Sequence, residues 1–477
     1  MAEAGRRTIG RSGGASGLPG GAGDVLERLF RLREHGTNVR NELIGGVTTF
    51  VVMSYIIAVN PGILSLGGDG LSVRAVATST CLVAGIFSIA MGLYANQAIA
   101  IAPGMGLNAV VAVTLVGSMG LTFPEAMGVV VAEGIIITAL VLLGLRQAVL
   151  VVIPTALKQA ISVGIGFFIL YIGLTNAGIV GFEVGLPAML PLNTWPIFVT
   201  VVGLAVTLVL VARGMHAGIL VGIVVSTIVA FVVPGDVAAW PDDPLRGPDF
   251  GLVGEFSFGF IGELGFLTAL LVVLSLLLSD FFDTMGSLVG VGARAGYLDA
   301  EGNLPDAQKL LLVDSLAAIG GGAASSSSAT SYVESVAGVE AGGRTGLVSV
   351  VTGALFLLAL PFVNMVSAVP VVATAPALVV VGCLMVGVLS EYGAGDRERR
   401  HRVVDFGDPE VGIPMVLTMV IMPFTYNITN GIGAGFVSYV LIRVARGKGR
   451  EVHPFLYVVA GAFLLYFLRW ALFDAEF

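Results

Sequence analysis

Runs of apolar residues long enough to cross a lipid bilayer recur along nearly the whole chain, separated by short polar or glycine-containing breaks. A helix needs about 20 predominantly apolar residues to cross the hydrocarbon core. On that measure the pattern predicts spans 1 to 7 at 40–63, 74–93, 98–118, 123–145, 154–178, 194–213 and 216–234. An acidic connector carrying Asp236, Asp242, Asp243 and Asp249 follows. Spans 8 to 14 then fall at 265–292, 307–323, 325–341, 343–365, 371–390, 411–426 and 428–446. A further apolar stretch, 454–474, reads as a surface helix or an extra pass.

Composition agrees with this pattern. Of 477 residues, 56% are hydrophobic and 12% charged, against about 25% charged in soluble domains. The 66 glycines suit close helix packing and broken helices in lipid. Cys81 and Cys383 lie in apolar spans and read as small buried hydrophobes rather than as a disulfide or a metal site. His35, His216, His401 and His453 show no ligand spacing, and neither a phosphate-binding loop nor a serine-hydrolase motif occurs, which argues against an enzyme. Residues 1–24 are rich in glycine and arginine without an apolar core and read as disordered, within an N-terminal segment 1–39. Basic residues gather before span 1 (Arg28, Arg31, Arg33, Arg40), before span 13 (Arg397 to Arg402) and after span 14 (Arg443, Arg446, Lys448, Arg450). With fourteen crossings all three clusters face one side, expected to be the cytoplasm, and the connector faces outward.

Spans 3 and 10 break the helical pattern. Span 3 opens AIAIAPGMGLNAVVAV and span 10 opens ASSSSATSYVESVAGV, so each predicts an extended half leading into a helix. Interrupted segments at matching places in two halves point to a transporter's binding site. The two extended pieces are expected to pair as short strands near the bilayer midplane, where unpaired backbone is costly. The helix N-termini beyond them would then offer free N–H donors to a central cavity, with Asn108, Thr330, Ser331 and Glu334 on their first turns.

Charge inside the spans marks where chemistry is expected. Asp280 and Asp283 lie deep in span 8, three residues apart and hence broadly on one helical face. An ionised group in hydrocarbon costs several kcal/mol, so these carboxylates are expected to face a cavity or a partner, as is Glu334. Such a pocket suits a neutral heterocycle whose N–H groups donate to carboxylates. A carboxyl group taken out of water can also exchange a proton near neutral pH, which gives a route to proton coupling. The bland readings are hydrogen bonding between helices for Asp314 in span 9 and Glu133 in span 4, helix capping for Asn108, a small-residue packing interface for the serine run, and packing for Phe281 and Phe282.

At these residues the chain resembles the AzgA-like purine permeases of the nucleobase–ascorbate transporter superfamily. The matching stretches are ELIGGVTTFVVMSYIIAVNPGIL (42–64), IAPGMGLNA (101–109), DFFDTMGSLVGVGARAGYLD (280–299), SSATSYVESVAGVEAGGRTGL (327–347) and IPMVLTMVIMPFTYNITNGIGAGFVSY (413–439). The resemblance implies an all-α polytopic membrane protein with fourteen transmembrane segments in a 7+7 inverted repeat. It implies a core domain from 40–145 and 265–365, a gate domain from 154–234 and 371–446, an extracellular connector 235–264 and a C-terminal segment 447–477. It further implies a homodimer in the cytoplasmic membrane, importing adenine, guanine or hypoxanthine with protons by elevator-type movement, with no other cofactor and no nucleic-acid partner. The family's acidic substrate positions fall on Asp280 and Glu334 and its asparagine position on Asn108. Phe281, Thr330 and Ser331 would complete the contacts, and Asp283 would support Asp280 or carry the proton. An inorganic-anion carrier of the same fold class, or a channel or nutrient sensor without coupled transport, are the alternatives. Two carboxylates at an anion site would repel the solute, which disfavours the anion carrier.

Overall fold

The computed structural model describes residues 22–67, 70–144, 152–183, 186–215, 217–297, 307–387, 389 and 406–473. The basic run 397–402 and His216 and His401 lie outside the described residues. Among the described residues, eight helices are long and apolar enough to cross a membrane, forming spans 1, 2, 4, 5, 6, 8, 11 and 14. Shorter apolar helices form spans 3, 7, 12 and 13. Span 9 is the helix Ala307–Ala323, and span 10 is a strand followed by the helix Ser335–Glu340. The chain is therefore a helical polytopic membrane protein built from two sets of seven segments.

Four short strands accompany the helices: β1 (Ile101–Pro103), β2 (Val180–Glu183), β3 (Leu186–Met189) and β4 (Ala329–Ser331). β1 and β4 pair antiparallel, with Ile101 opposite Ser331, Ala102 opposite Thr330 and Pro103 opposite Ala329. Each belongs to the third segment of its half. Elements related by a two-fold axis in the membrane plane must meet antiparallel, so this pairing is what an inverted repeat requires. Pro103 and Gly104 end β1, and Gly104 caps the helix Met105–Ala109, which continues in π geometry over Val110–Ser118. The serine run supplies β4's approach. Ser325 and Ser327 take left-handed backbone, at φ 59° and 75°, a conformation that disfavours helix and must be held by its surroundings. Asn60 from span 1 holds it, donating to the Ser326 carbonyl and to Thr80 Oγ1.

Span 1 departs from the single predicted helix. It divides into Val39–Met53 and Ile56–Leu64 around Ser54 and Tyr55. Its start is held by Glu42, which is fully buried and accepts from Arg344 N (2.7 Å), Thr345 N (3.2 Å) and Thr345 Oγ1 (2.7 Å) at the turn into span 11. A hairpin of β2 and β3 after span 5 was absent from the sequence expectation. The N-terminal segment is also ordered earlier than expected. Residues 22–30 form a helix, because Phe30 and Leu32 bury against Leu347 of span 11. The extra stretch forms the helix Pro454–Phe473 against span 14, where the Phe463 ring stacks over Phe436 at 6.3 Å.

The helices pack in two groups. Spans 5, 6, 7, 12, 13 and 14 pack on one another, chiefly 5 on 12 and 13, 6 on 7, and 13 on 14. In the other group span 4 packs on span 9, and span 11 on spans 1 and 2. Span 8 and the helix of span 3 touch span 5 across the boundary between the groups. The span 5–span 12 contact is backbone on backbone: a Cβ on Gly166 would meet Gly382 O at 2.9 Å, and one on Gly382 would meet Gly166 O at 2.5 Å. Without a hydrophobic drive between helices in lipid, this close approach is what holds them. Gly166→Leu is expected to force the pair apart and cost about 1–3 kcal/mol. The check is a lowered thermal-aggregation midpoint in detergent, with Gly461→Leu in the helix Pro454–Phe473, where a Cβ has open space and the backbone is helical, as control for the added apolar bulk.

Candidate functional site

The paired strands β1 and β4 place polar side chains within the group that holds spans 1, 2, 4, 9 and 11. Span 9 supplies the anchor. Asp314, fully buried, accepts at Oδ1 from both Ser331 N and Ser331 Oγ, each at 2.9 Å, and at Oδ2 from Thr284 Oγ1 at 2.8 Å. One carboxylate thus ties β4 to spans 8 and 9 and fixes where span 8 turns its acidic face. One residue along β4, Thr330 Oγ1 donates to Asp283 Oδ2 at 3.4 Å. Asp280, one turn earlier on span 8, is fully buried, and Phe281 is buried in the apolar core.

The end of β4 carries the third acid. Glu334 caps the helix Ser335–Glu340, and its Oε1 accepts from the Tyr55 hydroxyl at 2.6 Å. Tyr55 sits at the break in span 1, so the discontinuity places a phenol against the carboxylate of span 10. The Tyr332 hydroxyl crosses to the Pro103 carbonyl and closes the strand pair. Glu133 of span 4 receives Ser328 Oγ at 3.4 Å, so this contact is to the extended serine run before β4 rather than between two helices.

Two expectations are corrected by this geometry. Thr330 and Ser331 lie on β4 rather than on the first turn of a helix, because the extended run continues past the serines, and Ser331 is fully engaged with Asp314. The span 10 helix does not offer free N–H groups. The amides of Ser335, Val336 and Ala337 donate to the carbonyls of Tyr332, Val333 and Glu334, since the chain enters the helix through a tight turn. Asn108 does fall on the first turn of the span 3 helix. It is fully buried, and among the described residues neither its side-chain nitrogen nor its oxygen has a hydrogen-bond partner. Burying an unpaired amide costs on the order of 1–3 kcal/mol, so a group that completes it from outside the chain gains that much in affinity.

Sequence reasoning missed Tyr55 and underrated Asp314. The signal for Tyr55 was a lone phenol beside Ser54 in an otherwise apolar stretch, followed closely by Asn60 and Pro61. A cavity of about 450 Å³ lies away from the acids. It lies between span 7 and spans 1 and 11 and meets the acidic cluster only through Tyr55.

Known proteins resemble this chain in sequence and in fold. A family profile described as a permease family matches residues 40–427. Over 444 residues the chain is 39% identical to adenine permease AdeQ of Escherichia coli, covering 92% of this chain and 96% of that one. It is 39% identical over 454 residues to guanine/hypoxanthine permease PbuG of Bacillus subtilis, covering 93% and 99%. Among solved structures, the transmembrane domain of a cyanobacterium bicarbonate transporter, BicA, superposes with a TM-score of 0.61 at 18% identity, covering 83% of this chain and 97% of that one. Murine Solute Carrier 26 family member A9, an anion transporter in the inward-facing state, gives 0.59 at 12% identity, over 92% and 74%. At such identities the structural likeness speaks for the fold alone.

Proposed function

The chain belongs to the permease family of the nucleobase–ascorbate transporter superfamily, and we propose that it imports purine nucleobases together with protons. It is a multi-pass membrane protein and a permease, not an enzyme. The observation that carries the reading is the buried amide of Asn108, unpaired among the described residues, in a packing group that also holds Asp280, Asp283 and Glu334. A purine base presents ring N–H donors beside ring nitrogen acceptors. Carboxylates take the former, and a side-chain amide, with a donor and an acceptor side by side, takes a mixed edge. Relatives named for adenine and for guanine and hypoxanthine support the same solute class.

In this reading Glu334 and Asp280 accept hydrogen bonds from the base and Asn108 pairs with its edge. Asp283, tied to β4 through Thr330, accepts and releases the coupled proton. Neutralising one carboxylate by protonation lowers the cost of holding several acids together in hydrocarbon, which is how proton and solute binding come to favour each other. A core domain of spans 1–4 and 8–11 slides past a gate domain of spans 5–7 and 12–14, a division that the two packing groups support. The helices meet across that boundary at few places, as elevator-type movement needs. The protein works as a homodimer in the cytoplasmic membrane, with both termini in the cytoplasm. An anion carrier shares the fold, but carboxylates around the site oppose anion entry.

The test is uptake of labelled hypoxanthine, guanine, adenine and uracil into proteoliposomes, with and without an inward proton gradient. Saturable purine accumulation that collapses with the gradient supports the reading, and no nucleobase accumulation by folded protein ends it. Tyr55→Phe gives a finer check. Loss of its hydroxyl removes the hydrogen bond that aims the Glu334 carboxylate. The expected outcome is a KM raised roughly tenfold, the equivalent of one hydrogen bond to a charged group. An unchanged KM would leave Tyr55 a packing residue.

A further inference from the structure

The cavity between span 7 and spans 1 and 11 stands apart from the acids in character. Its walls are Leu220, Ile223 and Phe231 of span 7, Ile57 and Ala58 of span 1, and Val363 of span 11. Three hydroxyl side chains reach it, and each is already committed within the protein. Ser54 Oγ donates to the Val51 carbonyl, Thr227 Oγ1 to the Ile223 carbonyl, and the Tyr55 hydroxyl to Glu334. Water needs two to four polar partners to stay in such a space, and a polar solute needs as many. Neither finds them here.

The surroundings decide what does enter. Val224, Ile228, Phe362 and Met365, all lining residues, are also 40% or more exposed, so the cavity opens through membrane-spanning helices onto hydrocarbon. At its rim Trp240, from the acidic connector, stacks on Phe231 with ring centroids 5.1 Å apart and planes at 21°. Tryptophan collects at the depth where hydrocarbon gives way to headgroups, with its indole partly in each. The cavity therefore lies just beneath the interface, within reach of a lipid whose headgroup stays at the level of Trp240. Its volume of about 450 Å³ falls in the range of ligand pockets, ~300–1,000 Å³.

We propose that this cavity is a binding site for one acyl chain of a membrane phospholipid, which enters between span 7 and spans 1 and 11. The occupant is the medium outside the opening, held longer because its methylenes meet protein on several sides. The chain rests against the ring of Tyr55, whose hydroxyl carries the hydrogen bond to Glu334, so the lipid touches the residue that aims an acidic side chain of the site. The acyl site itself does not depend on the nature of the transported solute.

Tryptophan quenching by phosphatidylcholine with brominated acyl chains tests this. In full-length protein with Trp195→Phe and Trp470→Phe, only Trp240 reports. In the converse variant with Trp240→Phe and Trp470→Phe, Trp195 reports on ordinary surrounding lipid, being 48% exposed at the start of span 6. Reconstituted over a series of brominated mole fractions, Trp240 is expected to reach half-quenching at a mole fraction roughly threefold lower than Trp195, a difference that marks a preferred site. Ala58→Phe and Ala359→Phe fill the space from opposite walls and are expected to return Trp240 to the Trp195 curve. Coincident curves for the two reporters in the unfilled protein overturn the proposal, and that comparison stands even if a filled variant fails to fold. Preferential quenching that survives both filling substitutions overturns it as well, since the lipid would then sit elsewhere near Trp240.

Discussion

Replacing Glu334 by Gln is expected to cut purine uptake by roughly ten- to a hundredfold while the protein still reaches the membrane in normal amount. The substitution keeps the size of the side chain and its contact with Tyr55, because the amide oxygen still accepts from the phenol that now lies 2.6 Å from Oε1. The helix of span 10 begins at Ser335 through backbone bonds and does not use the Glu334 side chain as a cap, so folding has little to lose. What changes is the second oxygen. A carboxylate presents only acceptors, whereas Gln places an N–H₂ group where a base N–H must donate. The loss is that of a charge-assisted hydrogen bond, about 1.5–3 kcal/mol, and two donors then face each other. Uptake measured alongside surface quantity separates this from poor expression. Retained uptake at wild-type level would remove Glu334 from the site.

How far the chain could be read in advance depended on which physical constraint governed each part. Hydrocarbon demands long apolar runs, so the fourteen segments were legible, and their starts and ends fall close to the observed helices. The strands of spans 3 and 10 were legible because Pro103 with Gly104 and the run Ser325 to Ser328 resist helix on local grounds. Their pairing followed from the rule that backbone in lipid must be satisfied. Side-chain roles were less legible. Asp314 looks like any single acid in a helix until β4 is seen to pass beside it, and Thr330 and Ser331 shift by one element boundary, which moves them from helix to strand. Tyr55 becomes meaningful only because a break in span 1 turns it toward a residue 279 positions away. Glu42, near the start of its span, resembles a first-turn acid interacting with its own helix dipole, yet its partners are Arg344 and Thr345. The amphipathic helix at residues 22–30 was hidden by the glycine-rich sequence before it. Contacts between remote segments carry this information, and local pattern does not.

Asp314 supports the sharpest distinction between structure and transport. If its role is to anchor β4, what matters is oxygen at Oδ1 and a hydrogen-bonding group at Oδ2, not charge. Asp314→Asn preserves both: the amide oxygen still accepts from Ser331 N and Oγ, and the amide nitrogen can donate to Thr284, whose hydroxyl rotates to accept. Asp314→Ala strands the Ser331 amide and two hydroxyls in a buried setting and leaves a void. The expected cost is about 3–5 kcal/mol, which is a large share of a protein's net stability and enough to lower the folded yield severely. The Asn variant is expected to fold and to keep uptake within roughly threefold of the parent, and the Ala variant to be recovered poorly from detergent. Size-exclusion profiles and thermal midpoints check the second expectation, and proteoliposome uptake checks the first. Loss of uptake in a well-folded Asp314→Asn protein would assign the charge of Asp314 to proton movement and move the coupling role away from Asp283.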